Sequence, residues 1–342
     1  MNAELSNADR GILLLMTALI GAWGVSGALD VYERTEAGLR MGANHVITHL
    51  EPGGPAEQVH MQVGDRIIRI DGKDVEDTAN LVRLPRVEVG ERRSYTVVRG
   101  EDTIRYRPEF RPLDTQTMWL EHLATIVGFS FLLIPLAACL TRPSAATRVL
   151  ALMGFGLSLA FFDGLYIISY EIRAVAAAVA QLFMLLGLAA MVHFLLLFPH
   201  RRPLLHKPWG KKLVYVPMVI IWLLIAWRIL WTPPADSIAA FTSQFLSGLG
   251  ITLYLLIGLF LLLRNYSRTD RAERKRLAFN RMLWGTVAAI IPTAVAQLVR
   301  VASPDTPLPG QDYYFVALAL VPITWSLSAA RAHLRCRDQK GF

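Results

Sequence analysis

Long runs of apolar residues alternate with short polar segments over most of the 342-residue chain. About eight of these runs reach the roughly 20 residues that an α-helix needs to cross the hydrocarbon core of a bilayer. They cover approximately residues 11–29, 117–140, 149–169, 174–198, 213–231, 245–263, 282–300 and 313–331. This pattern predicts a polytopic α-helical membrane protein with about eight transmembrane helices.

The segment 31–114 follows a different pattern: it is charged, punctuated by glycines, and alternates apolar with polar residues. Such alternation is typical of short strands. The predicted strands cover 45–50, 66–70, 94–99 and 103–106. A short helical stretch, 78–84, is stopped by Pro85. We therefore predict a small, mostly β domain inserted between the first and second transmembrane helices.

The predicted organisation has four parts. They are an N-terminal transmembrane anchor (1–30), the β domain (31–114), a bundle of seven transmembrane helices (115–331) and a short tail (332–342). The small residues Ser26-Gly27-Ala28 would permit a signal peptidase to cleave after Ala28. The only base before this span is Arg10, so whether the first span is cleaved stays open.

Composition and charge distribution agree with this organisation. Hydrophobic residues make up 54% of the chain, and the mean hydropathy is +0.39. Lys and Arg cluster in loops 141–148, 199–212 and 264–281 and in the tail, whereas loops 232–244 and 301–312 contain none. By the positive-inside rule, we expect both termini to be cytoplasmic and the β domain to lie outside the cytoplasm. The net charge of +8 therefore reflects membrane topology and lipid contact, and no nucleic-acid partner is expected.

The cysteine content excludes several classes of site. The chain has two cysteines, Cys139 in an apolar run and Cys336 in the tail. This arrangement provides neither a disulfide framework nor the ligand spacing of a zinc site. We expect no metal and no cofactor.

Three motifs in the β domain occur in a characteristic order. They are Glu51-Pro52-Gly53-Gly54-Pro55-Ala56, then Val63-Gly64-Asp65-Arg66-Ile67-Ile68, then Ile70-Asp71-Gly72-Lys73-Asp74-Val75. The series resembles the central signature of bacterial PDZ domains. The resemblance implies a fold in which an extended peptide, or a protein C terminus, adds to an open strand edge beside a helix. The peptide carboxylate would be held by backbone N–H groups of a glycine-containing loop.

The resemblance also suggests where such a peptide would bind. The loop is best matched by Ala37-Gly38-Leu39, continuing into Arg40, and the opposite wall by Thr78, Leu81 and Val82. Two departures from the family pattern leave an alternative open. His60 stands where the family usually has a glycine, and Ala37 is small for an apolar loop residue. The alternative is a PDZ fold that serves as a spacer or docking surface without a carboxylate ligand.

The helical part carries a second resemblance. His193-Phe194-Leu195-Leu196-Leu197-Phe198-Pro199, together with the last span ending at Arg331, resembles the multi-span sensor module of competence-pheromone-receptor-type histidine kinases. The resemblance implies sensing of a peptide or lipid-like signal. Only eleven residues follow Arg331, so we expect no kinase or phosphatase domain after the last span. Output would then pass to a separate protein, or the chain would act as a scaffold.

Polar residues inside the apolar runs form a second candidate site. Asp163, Gln181, Arg228 and Gln297 are predicted to line a polar cavity open towards the β domain, with Asp163 and Arg228 as an ion pair. Arg228 could instead extend to the membrane interface. His193 is predicted to hydrogen-bond to a neighbouring helix.

A PDZ domain joined to membrane spans would fit an intramembrane protease. The chain has no HExxH motif for zinc, and Asp163 has no second intramembrane aspartate. Ser247 and His193 lie near opposite ends of their spans. We therefore predict a non-enzymatic membrane sensor or scaffold. The alternative is a transporter or lipid-handling protein that uses the β domain for docking.

Overall fold

The computed structural model describes residues 5–164, 166–231, 237–302 and 308–338. The helices are α1 (Asn7–Asp30), α2 (Pro55–Gln58), α3 (Thr78–Val82), α4 (Thr115–Thr141), α5 (Ala145–Ser158), α6 (Tyr170–Leu197), α7 (Gly210–Trp231), α8 (Ile238–Arg268), α9 (Arg271–Arg276), α10 (Phe279–Ala302) and α11 (Leu320–Asp338). Short 3-10 segments lie at Val31–Glu33, Ala43–His45, Pro203–His206 and Gln311–Ala319.

Several helices have the length and composition of membrane spans. Six such segments occur in the described part of the chain, at Asn7–Glu33, Thr115–Thr141, Tyr170–Leu197, Gly210–Trp231, Ile238–Arg268 and Gln311–Ala332. The prediction of a helical membrane protein is therefore confirmed, whereas the count of eight is not. The predicted span 282–300 lies within α10, which has 24 residues but is not among the six.

The predicted span 149–169 is wrong in its second half. Helix α5 has 14 residues, a length of about 21 Å, which is less than the roughly 30 Å of a bilayer core. After Ser158 the chain turns, and residues 162–164 are not helical. Hydropathy did not reveal this end because the apolar run continues through it.

The segment that follows α5 packs against glycines of α1. A Cβ atom on Gly27 would overlap the backbone carbonyl of Asp163, and one on Gly24 would lie 2.8 Å from the Phe162 ring. On the other side, a Cβ on Gly164 would overlap the ring of Trp23. The segment 162–164 therefore packs directly on the backbone of α1, an approach that small residues permit between membrane helices.

The β domain contains eight short strands. They are β1 (Thr35–Glu36), β2 (Leu39–Met41), β3 (Ile47–Leu50), β4 (Arg66–Ile70), β5 (Lys73–Asp74), β6 (Tyr95–Arg99), β7 (Asp102–Tyr106) and β8 (Arg111–Pro112). A four-stranded antiparallel sheet has the order β5-β4-β6-β7, and two-stranded sheets join β1 to β8 and β2 to β3. Ile47, Ile67 and Val97 are at most 1% exposed in its core. The four predicted strands correspond to β3, β4, β6 and β7; the shorter strands were not predicted.

His60 occupies the backbone position where PDZ domains usually have a glycine. Its φ angle is 69°, in the left-handed region that costs a residue with a Cβ some strain. The main chain here is held by two hydrogen bonds: the His60 N–H donates to Glu57 O (2.8 Å), and Arg99 Nη2 donates to His60 O (3.1 Å). These contacts accommodate the departure without a change of fold.

An ion pair links this turn to the sheet. Asp65 is 1% exposed and accepts two hydrogen bonds from Arg99, Nε to Oδ1 at 2.7 Å and Nη2 to Oδ2 at 2.8 Å. The Gln62 N–H also donates to Asp65 Oδ2 (2.9 Å). The hydrogen bonds from Arg99 lower the pKa of Asp65; burial opposes this effect, and the bond from Gln62 adds to it.

The lowered pKa of Asp65 predicts a loss of stability in acid. A carboxyl whose folded pKa lies below its unfolded value stabilises the fold above the unfolded pKa, and this contribution disappears as the pH falls through the folded pKa. Hydrogen exchange of the β4 and β6 amides should therefore accelerate below about pH 4, after correction for intrinsic rates. Asp65→Asn should weaken protection at pH 7 and remove part of the pH dependence. The exposed Asp102→Asn should change neither; an equal effect of both would contradict the assignment.

The bundle core is built around the segment His193–Pro199. Phe194 stacks on Trp325 of α11 (centroids 5.3 Å apart), and Phe198 meets Phe279 of α10 edge-on (5.5 Å). His193 Nδ1 lies 3.0 Å from the Tyr215 hydroxyl of α7, which confirms the predicted hydrogen bond between helices. The motif is thus a packing element where four helices meet.

Candidate functional site

The predicted peptide-binding loop lies at the start of β2. Gly38 has φ = 68°, which a glycine adopts without strain. The Ala37 carbonyl accepts from the Ala56 N–H and the Gly38 carbonyl from the Glu51 N–H, both at 2.9 Å. Among the described residues, β2 has a strand partner on one edge only, namely β3. The other edge of β2 has the arrangement that strand addition requires.

The predicted opposite wall is α3. Leu81 and Leu39 pack against the same hydrophobic core, and Val82 is 37% exposed. Thr78 begins α3, but its side chain lies outside the described residues. The structure thus places Leu39 and Leu81 on one core, while their contact with a peptide stays a prediction.

A cavity of about 410 Å³ opens at the loop. On one side it is lined by Gly38, Leu39 and Arg40 of the β domain, and on the other by residues at the start of α4, including Thr117 and Leu120. The sequence did not predict that the loop faces a membrane helix. Any group bound there would contact both parts of the protein.

The charges of this cavity are mostly negative. Four carboxylates line it (Glu36, Glu51, Asp114 and Asp312), together with the basic side chains Arg40 and His49. Arg111 forms ion pairs with both Glu36 and Glu51. Burial raises the pKa of Glu36, and the Glu51 charge adds to this against the hydrogen bond from Arg111. A bare peptide carboxylate would meet this negative charge, so the charges favour a ligand with a basic group.

Asp114 has a structural role in the same cavity. Its carboxylate caps α4 by accepting a hydrogen bond from the Thr117 N–H at 3.0 Å. The hydrogen bond from the Thr117 side chain lowers the pKa of Asp114; burial opposes this effect. The negative charge of Asp114 also lies at the N-terminus of α4, where the helix dipole stabilises it.

A buried carboxylate at the end of α1 joins the β domain to the helices. Asp30 is 6% exposed, and its Oδ1 accepts from Arg86 Nη1 at 2.7 Å. Arg34 Nε approaches Asp30 Oδ2 at 3.4 Å. The Arg86 N–H donates to the Tyr166 hydroxyl (2.9 Å), and the Arg86 guanidinium lies over the Tyr166 ring. The segment before α6, the end of α1 and the β domain therefore meet at Asp30.

Asp163 belongs to the same network. Arg34 Nη1 lies 2.9 Å from Asp163 Oδ2 and 3.6 Å from Glu121 Oε1. The predicted ion pair of Asp163 with Arg228 is therefore wrong, because the β domain brings Arg34 over the segment 162–164. Burial acts to lower the pKa of Arg34, but the hydrogen bond to Asp163 and the charges of Asp163 and Glu121 outweigh it and raise the pKa.

Helix α3 of the β domain also contacts α6. Arg173 Nη2 of α6 donates to the Val82 carbonyl at 2.7 Å, and the Arg173 guanidinium lies over the Tyr166 ring at 5.2 Å. Arg83, directly after α3, lies over the Tyr170 ring at 5.4 Å. The last turn of the predicted groove helix is thus fixed to the start of α6.

A larger cavity, about 770 Å³, lies between the β domain and the helices. Asp163 and Gln181 both line it, so the structure brings these two predicted residues together. Arg228 is not among its described lining residues, although its neighbour Ile229 is. The side chain of Gln297 lies outside the described residues.

Sequence reasoning missed most of this junction. The residues not predicted are Asp30, Arg34, Arg86, Glu121, Tyr166 and Arg173. A signal was available for some of them: Asp30 ends the first apolar run, and Glu121 lies just inside the second. These charges at span ends are shared between two parts of the chain.

The fold and this junction define a helical membrane protein that carries a PDZ domain. Residues 46–99 match the PDZ domain family model, which confirms the prediction made from the motif order. Among solved structures, the serine endoprotease from Yersinia pestis is similar, with 23% sequence identity and a TM-score of 0.22; the match covers 24% of this chain and 30% of that chain. This chain therefore spans less than a third of that protease. No curated protein matches the chain.

Proposed function

We propose that the protein is a non-enzymatic sensor or scaffold of the bacterial inner membrane. Its PDZ domain, outside the cytoplasm, would bind an extended peptide or a protein C terminus. The helices would transmit occupancy to a separate partner or hold the bound protein near it. The distribution of Lys and Arg between alternate loops supports this orientation.

One observation carries the proposal: both walls of the predicted groove face the helices. The loop at Gly38 lines a cavity together with Thr117 of α4, and the Val82 carbonyl at the end of α3 accepts a hydrogen bond from Arg173 of α6. A peptide that enters between β2 and α3 would change this cavity or this hydrogen bond. Differential contact of this kind is what a ligand needs in order to shift a conformational equilibrium.

The cavity charges support a more specific ligand. Four carboxylates line the cavity at the Gly38 loop. The cavity therefore favours a peptide that carries a basic residue close to its terminus. Backbone hydrogen bonds along β2 would supply affinity, and the cavity would supply selectivity. Capture of a terminal carboxylate stays a separate prediction, which paired peptides can test.

We expect labelled peptides with a basic residue near the C terminus to bind the full chain in nanodiscs. Fluorescence anisotropy should give at least about tenfold tighter binding than for neutral peptides, weakening as salt screens the carboxylates. Val82→Lys, which places a cation on the groove wall, should weaken binding about tenfold or more. Val63→Lys, at a 61% exposed position outside the predicted groove, should leave binding unchanged.

The same assay separates the parts of the proposal. Equal affinity for carboxylate and carboxamide forms of one peptide would remove carboxylate capture but leave strand addition. Absence of saturable binding by every peptide, or insensitivity to Val82→Lys, would overturn peptide recognition and leave the PDZ domain as a docking surface.

The transporter alternative receives less support. A transporter of the common repeat type uses broken helices near the middle of the membrane. Here α4 continues through Pro135 and α10 through Pro292. Only near Pro322 does a described span change, from the 3-10 segment Gln311–Ala319 to α11. The lipid-handling alternative is favoured by a different observation, the large cavity that extends along α6.

A further inference from the structure

The cavity between the PDZ domain and the helices has the dimensions of a ligand site. Its volume of about 770 Å³ falls in the range of roughly 300–1,000 Å³ found for small-molecule sites. Arg86 and Phe110 line it from the PDZ domain, and Trp23, Phe162 and Met184 line it from the helical part. The cavity therefore exists only while the two parts are docked.

One of the cationic side chains that line the cavity, Arg173, forms no ion pair with a described residue. Four guanidinium groups line the cavity (Arg34, Arg86, Arg93 and Arg173) against three carboxylates (Asp30, Glu121 and Asp163). Arg34 and Arg86 form ion pairs with Asp30, and Arg93 with Asp71. Among the described residues, Arg173 has no carboxylate within ion-pair distance; it contacts aromatic rings and the Val82 carbonyl. Its remaining N–H donors suit a phosphate or carboxylate.

Below Arg173 the lining becomes apolar. The α6 residues Ala177, Ala180 and Met184 line the cavity. Arg173 and Met184 are separated by about 16 Å along the helix, roughly half the thickness of a bilayer core. A site with a cation at its mouth and an apolar wall of this depth matches an amphiphile better than a free anion.

Two polar features lie within this apolar region. Gln181 Oε1 is buried, lines the cavity, and has no hydrogen-bond partner among the described residues. An unsatisfied buried acceptor costs about 1–3 kcal/mol. The backbone of 162–164 is also not helical, and Phe162, Asp163 and Gly164 all line the cavity. A ligand with a hydroxyl or amide N–H below its charged group would satisfy Gln181 if the side chain turned this oxygen into the cavity.

We propose that this cavity binds an anionic lipid, with its acidic headgroup at Arg173 and its acyl chain along Ala177, Ala180 and Met184. The lipid would contact both the PDZ domain and the helices, so its occupancy would stabilise their docking. This site is separate from the β2 edge, and the inference holds whether or not β2 binds a peptide.

Native mass spectrometry of the full chain, released from a non-ionic detergent, tests the proposal. The probes are phosphatidylglycerol, phosphatidylcholine as a zwitterionic control, and inorganic phosphate. We expect one phosphatidylglycerol to be retained at least about tenfold better than phosphatidylcholine, with little competition from phosphate. Arg173→Gln should reduce retention about tenfold, and Arg92→Gln, at an exposed pair with Glu109, should not.

Ala180→Phe keeps the test valid if Arg173→Gln disturbs folding, since it fills the apolar wall without changing a charge. It should abolish retention while the protein stays monodisperse on size exclusion. Equal retention of both lipids, or wild-type retention in both variants, would show general lipid contact and overturn the site. Effective competition by phosphate would replace the lipid by a free anion, and displacement by a peptide would assign the cavity to peptide binding.

Discussion

Gly27→Ala is expected to detach the segment 162–164 from α1 and to destabilise the whole protein. The added Cβ would overlap the backbone carbonyl of Asp163, which cannot move aside as a flexible side chain could. Overpacking typically costs 1–3 kcal/mol, and we expect at least about 3 kcal/mol here because backbone must shift. The midpoint of thermal unfolding in detergent, followed by size exclusion, measures the effect.

Gly11→Ala in the same helix is the matched control. Nothing lies within 4 Å of a Cβ at Gly11. Alanine is the better helix former by about 1 kcal/mol, so this variant should have an unchanged or slightly higher midpoint. Gly27→Ala should thus lower the unfolding midpoint, whereas Gly11→Ala should not. Equal midpoints for both variants would show that segment 162–164 does not need the bare backbone of α1.

Asp30→Ala is expected to release the PDZ domain from the helices. Asp30 is 6% exposed and is the shared partner of Arg86 and Arg34. Removing one member of a buried ion pair typically costs about 3–5 kcal/mol, because the remaining charge stays buried without a partner. We expect the PDZ domain to keep its own fold while its docking is lost. Distances between spin labels on the PDZ domain and α6 should broaden.

The exposed pair Arg92–Glu109 provides the comparison. Its side chains are 66% and 56% exposed, and such surface pairs contribute about 0–1 kcal/mol. Glu109→Gln should therefore leave the label distances and the unfolding midpoint unchanged. A narrow, wild-type distance distribution in Asp30→Ala would contradict the assignment of Asp30 as the connection between the two parts.

Asp30→Ala also separates the two proposals. It removes docking, so it should lower lipid retention in the cavity between the PDZ domain and the helices. The open edge of β2, in contrast, lies within the PDZ domain and should still bind peptide. Loss of docking and of lipid retention with retained peptide binding would support the view that Asp30 couples the PDZ domain to the helices.

Part of the architecture could be predicted from local patterns. Apolar runs identified the segments that form α1, α4, α6, α7 and α8, because a membrane helix must present apolar side chains along its whole length. The order of the three glycine-containing motifs identified the PDZ domain, since each turn needs its glycine at a defined position. Strands β1, β2, β5 and β8 were not predicted, because two or three residues are too few to show alternation.

The residues of the candidate site were predicted only in part. Asp163 and Gln181 were expected in one cavity because both lie near the same end of their spans, and both line it. The partner of Asp163 was predicted wrongly: it is Arg34, which is 129 positions away in the chain.

The sequence by itself determined that the chain has membrane helices and a PDZ domain, since hydropathy and turn chemistry act over a few residues. Tertiary structure alone decided that α5 ends at Ser158, that the loop at Gly38 faces α4, and that a cavity forms along α6, between the helices and the PDZ domain. These features depend on Asp30, Gly27 and Arg173 meeting partners distant in the chain. Contacts of that kind leave no periodic signal, because each is a single close approach.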